Sequence, residues 1–167
     1  MAVITTPGAT QNAYATLAEF KAYCDDRGLV YSSYTDTQIE QAIVRTARWL
    51  DGYMANMLPG IRGDATYALL WPRTGAVDQD GYELSGVPLQ VNYANIEAAF
   101  YDLGAPNTLQ ATYTPSQQKI LTQAGAIKWT PVAGSETASA RIMLPVVEDL
   151  LARVLRDKRG YPAALVV

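Results

Sequence analysis

The side chains best able to do chemistry crowd into one stretch, Leu70-Trp71-Pro72-Arg73-Thr74-Gly75, followed by Asp78-Gln79-Asp80-Gly81. Trp and Arg are frequent anchors of recognition surfaces. A Trp that is simply buried, pinning an ordered loop to the core, is an equal alternative. Pro72 fixes its own φ, removes a donor and pushes Trp71 towards an extended conformation, so the stretch reads as a rigid elbow. Trp71, Pro72, Gly75 and Gly81 are its structural residues. Asp78, Asp80 and Glu83 could hold a divalent cation, but no Glu closes the loop at EF-hand distance. The turn preference of Asp-Gly explains Asp80-Gly81 more economically, and no metal is expected.

Other reactive templates are missing from the composition. The chain has no histidine and one cysteine, Cys24. Ser-His-Asp and Cys-His arrangements, a neutral-pH general base and a zinc site are thereby excluded or made remote. Gly60, Gly63 and Gly75 do not have phosphate-loop spacing and are not followed by Lys-Ser/Thr. The chain is not expected to be an enzyme or to carry a cofactor. Cys24 reads as a small apolar residue inside a helix.

Thirteen basic residues against 16 acidic ones give a net charge of −3. A protein that grips phosphates over a large surface needs a basic excess, so nucleic-acid binding is not the default reading. The start, Met1-Ala2-Val3-Ile4-Thr5-Thr6-Pro7, lacks a basic region followed by an apolar block, and no stretch approaches a membrane span. A soluble protein made in the cytoplasm is expected. The 167 residues, 49% of them apolar, suit one domain with a sizeable core.

The elements that must position the elbow follow from caps and periodicity. Residues 1–13 read as an arm ordered only when something binds it. Thr16-Leu17-Ala18-Glu19 is a capping box that starts a helix running to about Arg27, with Gly28 beyond its end and Leu17, Phe20 and Cys24 facing inward. Thr35 and Gln38 repeat the start signal. Ile39, Ile43, Leu50, Tyr53 and Met57 then mark an amphipathic helix over residues 36–57, with Gln41, Arg45 and Arg48 on the opposite, solvated side. Pro88 is placed as the first residue of a third helix whose inward stripe is Leu89, Tyr93, Ile96, Phe100 and Leu103, closed by Gly104.

Residues 117–132 read as a β-hairpin, with Lys119-Ile120-Leu121-Thr122 and Ile127-Lys128-Trp129-Thr130 flanking a glycine-containing turn. An isolated hairpin is marginal in water, so it must pack on the helices or on another chain, and Trp129 suits either. A last helix starts near Pro145, with Val147, Leu150, Leu151 and Val154 inward. Arg153, Arg156, Lys158 and Arg159 at its end suit the helix dipole. The apolar end Tyr161-Pro162-Ala163-Ala164-Leu165-Val166-Val167 suits addition to a neighbouring subunit, or a return to its own domain. The fold class expected is mainly α: a bundle of about four helices with an inserted hairpin and an extended C-terminal tail. The domain covers residues 1–160 and the tail residues 161–167.

Taken together, Ala47-Arg48-Trp49-Leu50-Asp51, the Leu70–Gly75 elbow, Asp80-Gly81 and Val87-Pro88 resemble a tailed-bacteriophage head-tail connector family. Some of its members carry the label DnaT-like single-stranded DNA-binding. The resemblance spans roughly residues 14–155 and is sharpest at Trp-Pro-Arg-Thr-Gly followed by Asp-Gly; the tail departs from the usual form. It implies a structural adaptor of the virion neck, assembled as a ring, with a dodecamer expected. The ring would join the portal protein to the next neck or tail component and let DNA pass through its lumen during ejection without sequence-specific binding. Tyr161, Pro162, Leu165, Val166, Val167, Arg73 and Trp129 are then the residues expected at the portal or a neighbouring subunit, with a carboxylate that ties the elbow down as the alternative for Arg73. The alternative is single-stranded DNA binding, with Trp71, Trp129 and tyrosines as stacking platforms and Arg45, Arg48 and Arg73 on the backbone.

Overall fold

The computed structural model describes residues 2–110, 119–123, 128–131 and 144–156, the side chains of 119–123 and 128–131 excepted. Four helices and two small antiparallel pairs make up these residues. The architecture is mainly helical with a hairpin, as the sequence predicts.

Helix α1 spans Leu17–Arg27 and α2 spans Asp36–Met54. Both open on reciprocal capping boxes. The Thr16 hydroxyl accepts from the Glu19 amide at 3.2 Å, and the Thr16 amide donates to the Glu19 carboxylate at 2.7 Å. Thr35 and Gln38 reproduce the pattern at 3.3 and 2.8 Å. Each box satisfies donors that a helix start otherwise leaves unpaired. Gly28 ends α1 in the left-handed conformation at φ 66°. Helix α2 stops at Met54, short of the expected Met57, because the chain tightens into a turn in which the Met57 amide donates to Met54 O at 2.8 Å.

Strand β1, Ile61–Arg62, pairs antiparallel with β2, Arg73–Thr74, which lies within the elbow. Helix α3 spans Leu89–Gly104. Pro88 is its cap rather than its first helical residue, since its ψ of 143° is extended. A 3-10 turn follows at Thr108–Gln110. Strands β3, Lys119–Gln123, and β4, Lys128–Pro131, form the hairpin, with Leu121 opposite Trp129 and an irregularity between Leu121 and Gln123. Helix α4 is short, Pro145–Leu151. The basic residues assigned to its last turn therefore lie beyond it, and Lys158 and Arg159 are outside the described residues.

Helices α2 and α3 pack along each other and carry both halves of the core. One half gathers Trp49, Leu50, Met54, Trp71, Val91, Ala94, Ala98, Val147 and Leu151; the other gathers Phe20, Cys24, Ile39, Ile43, Ile96 and Leu103. Helix α3 sits between them, which overturns the single inward stripe expected for it. Leu89 is 58% exposed, Tyr93 and Phe100 are half-buried, and Val91, Ala94, Ala98 and Ala99 are buried instead. A helix covered on several sides buries small residues all round rather than one stripe.

Residues 2–13 also differ from the expected free arm. They fold back on themselves, with the Asn12 and Ala13 amides donating to Ile4 O at 2.9 and 3.3 Å and the Ile4 amide donating to Asn12 Oδ1 at 2.8 Å. Gln11 and Ala13 are buried, and the Ala68 amide reaches Gly8 O at 3.1 Å. These backbone pairs satisfy donors that an unbound arm would leave to water.

Candidate functional site

The elbow is positioned by a polar knot that joins three sequence-distant segments. Tyr14, just before α1, donates its hydroxyl to Asp51 on α2. The same hydroxyl accepts the backbone amides of Leu70 and Trp71 at 3.1 and 3.3 Å, and the Leu70 amide also reaches the Asp51 carboxylate at 3.1 Å. An irregular segment entering a core must satisfy its backbone, and here two side chains do so. Burial is the main cause that pushes the Asp51 carboxyl up to about 6. Burial, reinforced by Asp51, holds the Tyr14 phenol well above its usual range, so the donor stays protonated.

Tyr14 is itself anchored from α3. Its amide donates to Asn95 Oδ1 at 3.1 Å and its carbonyl accepts from Asn92 Nδ2 at 2.9 Å. Asn95 then donates to Ile43 O at 3.1 Å and to the Thr46 hydroxyl at 2.9 Å. Two asparagines one turn apart thus hold the start of the chain and α2 together through α3.

With its backbone fixed, Trp71 inserts fully, at 0% exposure, and the Trp71-Pro72 peptide is cis. Its indole Nε1 is buried without a partner among the described residues. Arg73 is tied down by backbone oxygens rather than by the expected carboxylate: Nε donates to Pro59 O at 2.5 Å and the terminal nitrogens to Gly60 O at 2.8 Å and Leu70 O at 3.3 Å. Gly60, at φ 60°, is forced to be glycine, because a Cβ would lie 2.5 Å from Thr74 O and 2.7 Å from Ala76 N. Gly75 and Gly81 take positive φ of 64° and 88°, as elbow and turn residues should.

The Asp78–Gly81 turn is closed by its own backbone. The Asp78 carboxylate accepts the Asp80 and Tyr82 amides at 3.0 and 2.8 Å, and the turn grips the end of α4. The Gln79 amide donates to Arg153 O at 3.1 Å, its side chain to Ala152 O, and Asp80 pairs with Arg153 at 2.7 Å. No cluster of acidic, cysteine or histidine side chains suited to a metal occurs among the described residues. Cys24 is buried and free, and burial pushes its thiol up to about 11, which makes it unreactive.

Of the basic residues proposed to track a DNA backbone, Arg48 is exposed. Arg45 is half-buried rather than free on a solvated face: its guanidinium meets Asp102, which is 2% exposed, at 2.5 Å. Asp102 also accepts the Asn107 amide at 2.9 Å, so this pair closes the connection after α3. The structure therefore gathers Trp71, Pro72, Arg73 and Gly75 in one place, and puts Gly81 in the turn on α4. Trp129 lies on β4, its side chain undescribed, and Tyr161, Pro162, Leu165, Val166 and Val167 lie outside the described residues.

A second feature is an apolar groove of about 390 Å³ between the C-terminal half of α3 and the start of α4. Glu97, Phe100, Tyr101, Leu144, Val146 and Val147 are among its lining residues. Tyr101 and Val146 remain 40% and 49% exposed. Periodicity missed the groove because it opens where two elements meet. It missed the knot because Tyr14, Asp51 and the Asn92/Asn95 pair are far apart in the chain; the readable sign was two asparagines one turn apart in a mostly apolar helix.

A family model described as "Putative DnaT-like ssDNA binding protein" matches residues 1–167. No curated protein and no solved structure gives a significant match.

Proposed function

The chain belongs to the DnaT-like single-stranded DNA binding family, and from that premise we propose that it works without catalysis, as a structural adaptor subunit of a phage neck. In this reading copies assemble as a ring that joins the portal to the next component while DNA passes through the lumen. One observation carries it: Trp71, Arg73 and Arg45 are consumed in building the domain, whereas apolar side chains stand exposed between α3 and α4. Side chains buried or paired within the domain have little left for a ligand, and exposed apolar patches mark protein contacts. The net charge of −3 suits a lumen past which DNA slides, because fewer phosphate contacts mean less retardation. Light scattering and negative-stain imaging of the purified protein, alone and with portal, test the proposal. Rings that attach to portal are expected, and a strict monomer that never joins portal overturns it.

The family description speaks directly for a second reading, single-stranded DNA binding. Of Arg45, Arg48 and Arg73, Arg48 is the one left exposed to serve it. Titration of a labelled oligonucleotide at low and moderate salt separates the two readings. A binder shows saturable affinity that falls steeply with salt, because bound phosphates release counterions; a flat titration removes this reading.

A further inference from the structure

The α3/α4 groove and the C-terminal segment of the chain have complementary chemistry. The groove walls are the rings of Phe100 and Tyr101 and the aliphatic side chains of Leu144, Val146 and Val147. The one carboxylate in its lining, Glu97, is already engaged by the Tyr23 hydroxyl at 2.7 Å and by Arg27 at 3.7 Å. An occupant therefore meets an apolar surface without burying an unpaired charge. Residues 161–167, Tyr-Pro-Ala-Ala-Leu-Val-Val, are uncharged and apolar, and Asp157-Lys158-Arg159-Gly160 precedes them as a charged spacer.

The described chain ends at Arg156, whose amide donates to Met57 O at 2.7 Å. The groove lies at the other end of α4, beside Pro145. We propose that the groove receives residues 161–167 of a second copy of this chain. Groove and tail are different surfaces, so their contact between copies is head-to-tail, and a head-to-tail contact closes into a ring when its rotation allows. The proposal rests on the ring reading above and supplies its interface.

The test is a cysteine pair, Val146→Cys with Leu165→Cys, in the full chain carrying Cys24→Ala. Under mild oxidation a ladder of reductant-sensitive cross-linked chains is expected. Mixing the two single-cysteine variants should give dimers and nothing larger. A fast-migrating monomer would show the tail in its own groove, and no cross-link at all would leave the groove to another occupant; either outcome overturns the assignment. Tyr101→Lys, checked for unchanged helix content by circular dichroism, should abolish assembly in light scattering, and normal assembly would also overturn it. Rings formed by the parent chain without any cross-link sink the groove assignment and spare the ring reading. A parent chain that is strictly monomeric sinks both.

Discussion

At the scale of single residues, the elbow depends on groups that serve the backbone. Arg73 donates to three carbonyls, two just before β1 and one in the loop between β1 and β2. Arg73→Ala is expected to lower stability by about 1–2 kcal/mol in urea unfolding, the loss of charge-assisted bonds discounted for a half-buried guanidinium. Arg73→Lys should recover little of this, because an ammonium lacks the planar fork that reaches several acceptors at once. Asp51 makes stability depend on pH in an unusual direction. Its carboxyl is raised from 3.8 to about 6 in the folded state, so between those values the folded chain binds more protons than the unfolded chain. Its contribution to stability therefore falls as pH rises from 4 to 6 and levels off above, by at most about 2–3 kcal/mol. Asp51→Asn should flatten that part of the pH profile, and an unchanged slope would show that Asp51 is not its source. Of these residues, Trp71, Pro72, Gly75 and Gly81 were legible in sequence, because proline and glycine act on their own backbone. The acceptors of Arg73 and the partners of Tyr14 were not, since long-range pairing leaves no local pattern.

At the scale of elements, caps proved the most readable signals. Both capping boxes form as Thr-x-x-Glu and Thr-x-x-Gln predict, because all their atoms lie within four residues. Thr35→Ala is expected to cost about 1 kcal/mol with the unfolding transition still cooperative. Gly60→Ala should cost about 2 kcal/mol or more, since the new Cβ must displace backbone on β2 as well as tolerate a left-handed conformation. Thermal unfolding of each variant reads both effects, and a neutral Gly60→Ala would show that the loop can shift. The faces of α3 were less legible. Periodicity assumes one buried side, and α3 is packed by α2, α4 and the start of the chain. Leu89 then falls outside the covered part, while alanines and asparagines that look neutral in sequence carry the close approach.

At the scale of the whole molecule, the described residues form a domain whose two core halves share α2 and α3. Fold class was legible because helix content, proline positions and the hairpin pattern are composition and spacing. Assembly is less so, because an interface is complementarity between surfaces rather than a run of residues. In the proposed adaptor, deletion of residues 161–167 should leave the urea midpoint unchanged and abolish ring formation in light scattering. A lower midpoint would place the tail within the domain's own stability, and unchanged rings would remove it from assembly.

The Tyr14 hydroxyl, shared by two amides of a segment with no helix or strand at that point, has a consequence for exchange with solvent deuterium. Protection factors ordinarily track regular secondary structure, and irregular loops exchange first. Here the Leu70 and Trp71 amides can open only when Tyr14 lets go, and Tyr14 is held through Asn92 and Asn95 of α3. The innermost turn of a long loop should thus exchange as slowly as the central helices and report on the opening of the entire domain.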